Sequence, residues 1–344
     1  MNSIRRLCAI VSALAVLCLI AGCSSQAGSS ASGGSGKEIR VAFFSAVQAN
    51  TFIAAIYGGM QSEAKKQGNV KITVFDAKFD ASTQLNQVED AITTNQFDAF
   101  IIQPINYASM VAPTKLAIKS GIKVVTENWP IGNALDTVEP QVAGMSGSVL
   151  TPATVDGAHH VEMINSACAG VATCNVAYVA GAISGAFDVA TMALIKADLK
   201  THPNIHFVQE VEGDFSRTPS LTAVQNLLEA HPDVTVIDAH GDQMALGAED
   251  AVKSAQLVGK VKILGGGASA IGVAAVRAGR WFGTTLTLPI DDGVSAMSLA
   301  IKGAQGQTVA EKGVDNASNS KLYPAILTAS NIDAWKNFTP QWSG

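Results

Sequence analysis

From Ile39 onward the chain alternates between apolar runs and helical segments, and this alternation constrains the fold more than any other feature. Residues 39–45 are almost wholly apolar. Asn50 or Thr51 then caps a helix expected to run to about Gln67, with Gly68 ending it. A strand at 70–77, a helix at 81–95, a strand at 97–103, a helix at 109–120 and a strand at 123–128 follow. Runs that are apolar throughout, not at every second position, belong to strands of a sheet covered on both faces. Strands separated by helices form a parallel sheet with right-handed crossovers.

After a Gly/Ser/Pro-rich passage at 144–152 the pattern restarts. Helices are expected at 154–167, 188–200, 220–230, 243–256 and 271–278, and strands at 175–182, 205–211, 234–238, 261–264 and 283–288. The fold class is therefore α/β, with two doubly wound parallel-sheet lobes joined by a hinge. The expected lobes are 38–145 with 288–322, and 146–287 with 323–344. In open α/β sheets ligands bind beyond the carboxyl ends of the strands. That rule selects the segments 45–52, 103–106, 127–129, 181–188, 214–217, 240–242 and 265–269, together with Thr287.

The N-terminus carries a different message. Arg5 and Arg6 precede an uncharged apolar run at 7–20 that ends in small residues. This is the layout of a secretory signal peptide, and the run is short of the roughly 20 apolar residues that span a bilayer. Ile20-Ala21-Gly22-Cys23 resembles the lipobox of bacterial lipoproteins. The resemblance implies a signal peptide at 1–22, a lipid on Cys23, and an extracytoplasmic domain held at the membrane by that anchor alone. Residues 24–36 are almost all Ser, Gly and Ala, so 23–37 reads as a flexible tether. Of 5 Cys, Cys8 and Cys18 leave with the signal. Cys168 and Cys174, in an oxidising compartment, are expected to form a local disulfide; the alternative is a pair of buried free thiols.

Losing Arg5 and Arg6 takes the formal charge from −5 to about −7, and this mild acidity argues against a nucleic-acid partner. Adjacent His159 and His160 point in different directions on a helix, so no metal site is expected there, and no cofactor is expected anywhere. Gly265-x-Gly267-x-x-Ala270 formally matches a dinucleotide fingerprint. It lacks a clear acid at the end of the next strand and reads instead as a tight turn that opens space. Residues 144–148 lack the second glycine of a nucleophile elbow.

The later motifs are recognisable as a set. Asp214-Phe215-Ser216-Arg217, the run 224–234 (VQNLLEAHPDV), the run 242–248 (DQMALGA), Gln103-Pro104 and Leu288-Pro289 resemble the ribose-binding family of type I periplasmic binding proteins. The resemblance spans nearly the whole exported domain. It implies a non-enzymatic, monomeric substrate-binding protein that passes a sugar, polyol or similar small solute to the permease and ATPase of an ABC importer. A sensory protein of the same fold is the alternative, and an extracytoplasmic enzyme a more distant one. Carried over by position, Ser45 and Asn50 match polar contacts, and Phe52 and Phe215 match stacking rings. Gln103 stands where Asn or Asp is usual, and Asn128 where Asp is usual. Phe52 is also readable as core.

The departures bear on the ligand. Trp129 replaces an Arg, no Arg stands near Asp188, Gly241 replaces an Asn, and Gly265 to Gly267 replace an Asp. Thr287 replaces a Gln. Ribose is therefore not the expected ligand, and a polyol, modified sugar or less polar solute suits Trp129 and the glycines better. Glu127, Asp188, His240 and Gly267 complete the expected site, although Glu127 is also readable as facing a lysine. Asp242 reads as a helix cap.

Overall fold

The computed structural model describes residues 37–344; the signal peptide, Cys23 and nearly all of the tether lie outside them. The elements are β1 (Ile39–Ser45), α1 (Thr51–Gln67), β2 (Val70–Asp76), α2 (Ala81–Thr94), β3 (Ala99–Ile102), α3 (Val111–Lys119), β4 (Lys123–Glu127) and β5 (Gly147–Val149). They continue through α4 (Ala153–Cys168), β6 (Cys174–Ala180), α5 (Ala186–Asp198), β7 (Ile205–Glu212), α6 (Arg217–Ala230), β8 (Val236–Ala239) and α7 (Asp242–Ser254). The chain closes with β9 (Lys262–Gly267), α8 (Ala270–Arg277), β10 (Gly283–Leu286), α9 (Pro289–Ala304), β11 (Gly313–Val314), β12 (Ile326–Thr328) and a 3-10 turn at Ala329–Trp335.

Two sheets result. The first runs β11-β5-β4-β3-β1-β2 and the second β12-β10-β9-β8-β6-β7. All pairings are parallel except β10 with β12, an antiparallel edge. In both sheets the strand order reverses between the fourth and fifth of six strands, at β3 and β1 in one and at β8 and β6 in the other. Such switch points open a crevice beyond the strand ends. Each sheet is covered on both faces. Phe43 and Ile101 pack under α1 and α9, and Phe44 and Phe100 pack on the opposite side. In the second sheet Ile237 faces α6 and α7, while Tyr178 and Val236 face α4 and α5.

The structure moves the first crossover. The boundary expected at 145/146 falls after Val149, because β5 pairs with β4 in the first sheet, Thr126 opposite Ser148. A three-residue strand rich in Gly and Ser carries too little periodicity to stand out from a loop. The second crossing lies between β10 and α9, and the third between β11 and β12. Helix α9 has no counterpart in the sequence reading. It lies on α1 with backbones nearly touching: a side chain at Gly59 would strike the Ile290 carbonyl, and one at Gly293 the Ile56 carbonyl. Glycine is what lets the two helices approach so closely.

The C-terminal tail, expected in the second lobe, bonds to both. Gln341 Oε1 accepts the Ile290 and Asp291 amides at the start of α9, at 2.8 and 3.2 Å. Trp342 Nε1 donates to the Gly267 carbonyl at 2.7 Å. Cys168, closing α4, and Cys174, opening β6, are joined by a disulfide.

Candidate functional site

The strand ends of both sheets converge on a cavity of about 110 Å³, large enough for several waters. One side is built from the first lobe. Asn50 precedes α1, Phe79 follows β2, Asn128 and Trp129 follow β4, and Asp292 sits in the first turn of α9. The opposite side comes from Asp156 on α4, Phe187 on α5, Phe215 after β7, His240 after β8 and Gly267 at the end of β9.

Aromatic rings meet across this gap. Phe79 stacks on Phe215 with centroids 5.6 Å apart and planes 24° from parallel. Trp129 lies 6.0 Å from Phe215 and 6.1 Å from Phe79. His240 meets the Phe215 ring edge-on at 5.3 Å. At the other end Phe52 packs edge-to-face on Trp342, also at 5.3 Å.

The loops that present these rings are strained. Lys78, Phe79, Asn128, Asp214, Phe215 and Ala268 all adopt positive φ, and each lies just beyond a strand end facing the cavity. Non-glycine residues held there cost of order 1–3 kcal/mol each, and such outliers gather at binding sites. Glycines make the matching room. A Cβ on Gly181 would enter the Phe215 ring, one on Gly266 the His240 carbonyl, and one on Gly267 the Trp342 indole. The three glycines at 265–267 are thus the end of β9 and not the expected tight turn, because the strand continues pairing with β10 through Gly267.

Under the second-lobe wall, carboxylates are matched with imidazoles. Asp188 is fully buried and accepts from the Tyr178 hydroxyl at 2.8 Å and from the Gly181 and Ala182 amides. His240 Nδ1 lies 2.9 Å from the same carboxylate. Burial opposes charge on His240, but Asp188 outweighs it and raises the imidazole's pKa. One layer deeper, His160 Nδ1 is 2.8 Å from Asp238. His160 Nε2 has no hydrogen-bond partner and stands 3.9 Å from Asp156, within ion-pair range only. Burial again favours the neutral ring, yet Asp238 and then Asp156 hold the His160 pKa up to about 9.

The first-lobe wall is different. Glu127 is fully buried; its Oε2 accepts from Gln103 Nε2 at 2.6 Å and its Oε1 has no partner. Burial, and then the Asp292 charge, pushes its pKa well above the usual carboxylate range. Asp292 accepts from Asn316 at 2.8 Å. Burial raises its pKa to about 7, opposed by that hydrogen bond and reinforced by Asp315 and Asp291.

The periplasmic binding protein domain model matches residues 41–308. The chain belongs to that family. It is 29% identical over 226 residues to the ribose import binding protein of Bacillus subtilis, covering 64% of this chain and 68% of the relative. It is 25% identical to the D-allose-binding periplasmic protein of Escherichia coli, over 81% of this chain and 88% of the relative. An ABC transporter solute binding protein of Mycobacterium smegmatis with bound glycerol superposes with a TM-score of 0.74 at 27% identity, covering 89% and 99% of the two chains. One from Bacillus halodurans with bound myo-inositol gives a TM-score of 0.75 at 20% identity, with the same coverages. This periplasmic binding protein is thus ribose-binding-like, and its family is one of solute binders, not enzymes.

Within that family frame, the expected site divides in two. Asn50, Phe52, Asn128, Trp129, Phe215, His240, Gly267 and Thr287 line the cavity. Ser45, Gln103 and Glu127 do not and are fully buried behind its walls, and Asp188 lines instead a smaller neighbouring cavity with Phe79, Trp129 and Phe215. Ser45 and Glu127 are the last residues of their strands and Gln103 directly follows β3, so their side chains are still committed to the lobe interior. The Glu127 side chain meets Gln103 and no lysine. Asn50 is partly occupied: its Oδ1 caps α1 through the Phe52 and Ile53 amides, and its Nδ2 reaches the Phe215 carbonyl at 3.5 Å. Thr287 donates to the Gly267 carbonyl at 2.9 Å.

Asp242 does not cap α7. Its carboxylate accepts from the Ser269 amide at 2.7 Å and the Thr284 hydroxyl at 2.8 Å, tying α7 to the start of α8 and to β10. The sequence reading also missed lining residues, among them Phe79, Asp156, Asp292 and Trp342. The strand-end rule applied to β2 would have named Phe79. Trp342 has no such signal, because it reaches the cavity from 75 residues beyond its partner Gly267.

Proposed function

We propose that the chain is the substrate-binding lipoprotein of an ABC importer, held outside the membrane through Cys23, and that it takes a sugar or polyol between its lobes by hinge closure. The observation that carries this reading is the cavity between the two sheets, where Phe79 and Trp129 of one lobe meet Phe215 of the other. Rings of this kind cover the apolar faces of a sugar or cyclitol, and Asn128, Gln243, Thr285 and Thr287 supply partners for its hydroxyls. The relatives named for ribose and D-allose, and the neighbours with bound glycerol and myo-inositol, support the same solute class.

Three chain crossings join the lobes, and a ligand touching both shifts the equilibrium toward the closed form. The closed monomer then docks on the permease. The binding set proposed is Asn50, Phe52, Asn128, Trp129, Phe215, His240, Gly267 and Thr287, extended by Phe79, Asp292 and Trp342. A thermal-shift screen of pentoses, hexoses, polyols and nucleosides tests the reading. At least one sugar or polyol raises the melting temperature, by an amount that grows with the logarithm of its concentration over Kd. A nucleoside-only response, or none, overturns it. The anchor is tested separately, since Cys23→Ser releases the protein from the membrane fraction.

A further inference from the structure

The charge around the cavity narrows the ligand further. No lysine or arginine lines it, whereas Asp156 and Asp292 do. Asp156 faces His160, and the deeper Asp238 and Asp188 face His160 and His240. Asp292 has no such answer: among the described residues it pairs with no Lys, Arg or His, and its one side-chain partner is the Asn316 amide. Behind it stands a second carboxyl, Glu127, fully buried, with Oε1 unpartnered. Asp315 and Asp291 are acidic neighbours as well, and burial with these neighbours lifts the Asp292 pKa to about 7. Carboxylates withdrawn from solvent, partly for Asp292 and wholly for Glu127, are ordinarily paired, and among the described residues no cation answers Asp292.

The rest of the wall is suited to a cation. Trp129, Phe79 and Phe215 cluster within 5.6 to 6.1 Å of one another. The faces of such rings attract an ammonium group, most strongly for Trp and in desolvated settings. An anionic solute would meet Asp292 and Asp156 with no Lys or Arg to compensate, and a neutral polyol would leave Asp292 as it is. We propose that the cleft selects an aminated polyol, a sugar or cyclitol bearing a protonated primary amine, with the ammonium group seated against Asp292 and the aromatic cluster. The inference rests on the sugar or polyol reading of the same cleft.

Calorimetric titration with matched pairs tests it: myo-inositol against its mono-amino counterpart, and glucose against glucosamine, N-acetylglucosamine and glucuronic acid. In at least one pair the amine binds about tenfold or more tighter than the hydroxyl parent, as expected for a hydrogen bond between charged groups. Acetylation, which removes the charge, abolishes that advantage in the wild-type protein, and glucuronic acid does not bind. Asp292→Asn, which keeps the Asn316 contact available, brings the ratio of amine to hydroxyl affinity to about one. Equal or tighter binding of the hydroxyl parents, or an amine preference that survives Asp292→Asn, overturns the proposal while leaving the sugar or polyol reading intact. If no sugar or polyol binds, with or without an amine, both fall together.

Discussion

The two walls of the cleft handle buried charge in opposite ways. Behind the second-lobe wall three carboxylates face imidazoles: Asp188 faces His240, and Asp238 and Asp156 share His160. On the first lobe Glu127 and Asp292 sit together with amide partners only. The paired wall carries its own counter-charges, so it acts as a fixed floor beneath Phe215 and His240. The unpaired wall is electrostatically incomplete, and that is where a ligand gains most. One lobe supplies rigidity and the other supplies discrimination.

The sharpest break of this contrast is Asp238→Asn. Removing one partner of a buried ion pair is expected to cost about 3–5 kcal/mol, because His160 is left charged and uncompensated or must give up its proton. Chemical denaturation measures it, and a loss below about 1 kcal/mol would remove the pair from the account.

Titration gives the next largest effect. The folded-state pKa of His160 is about 9 against an ordinary 6.5. A raised histidine pKa contributes stability that is fully present below the unfolded value and is lost as pH rises through the folded one. Wild-type stability therefore falls between about pH 6.5 and 9, by roughly 3 kcal/mol from this group. His160→Gln flattens that part of the profile, and an unchanged slope would contradict it.

The disulfide lies in the lobe with the paired wall. Breaking it by Cys168→Ala with Cys174→Ala costs about 2 kcal/mol for so short a loop. The loss appears in thermal unfolding, and ligand affinity is unchanged. On the cleft itself, Asn50→Ala removes the α1 cap and costs about 1 kcal/mol.

The smallest effect has the opposite sign. A carboxyl whose folded pKa is raised destabilises the protein once it ionises. Asp292→Asn thus melts above wild type at pH 8, and the gap closes by pH 4. A melting temperature below wild type at pH 8 would mean that the first-lobe wall is compensated after all.

Much of this architecture was legible because parallel strands buried on both faces leave uninterrupted apolar runs, as in β1 and β6. Short strands β5, β11 and β12 left none. Helix α9 was hidden by the glycines that let it lie on α1 and by the two acids in its first turn. For the site, position was legible and direction was not. The strand-end rule named Trp129, Asn128, Phe215 and Thr287, which line the cavity, but it could not tell that Ser45, Gln103 and Glu127 turn inward. Whether the last residue of a strand faces the crevice or the core depends on where the chain leaves the sheet, and that is a tertiary property. The pairing of Asp238 with His160, 78 residues apart, carries no local signature either.

The most direct test of the central claim uses the two tryptophans that line the cavity, Trp129 and Trp342. Tryptophan fluorescence is titrated with a panel of sugars, polyols and their amines, in wild type and in Phe215→Ala. At least one compound is predicted to give a saturable change in wild type, with affinity about tenfold or more weaker in the variant, or about 1.4 kcal/mol. A folded wild-type protein whose fluorescence responds to no member of the panel, or responds equally in Phe215→Ala, would contradict a solute held between the two lobes.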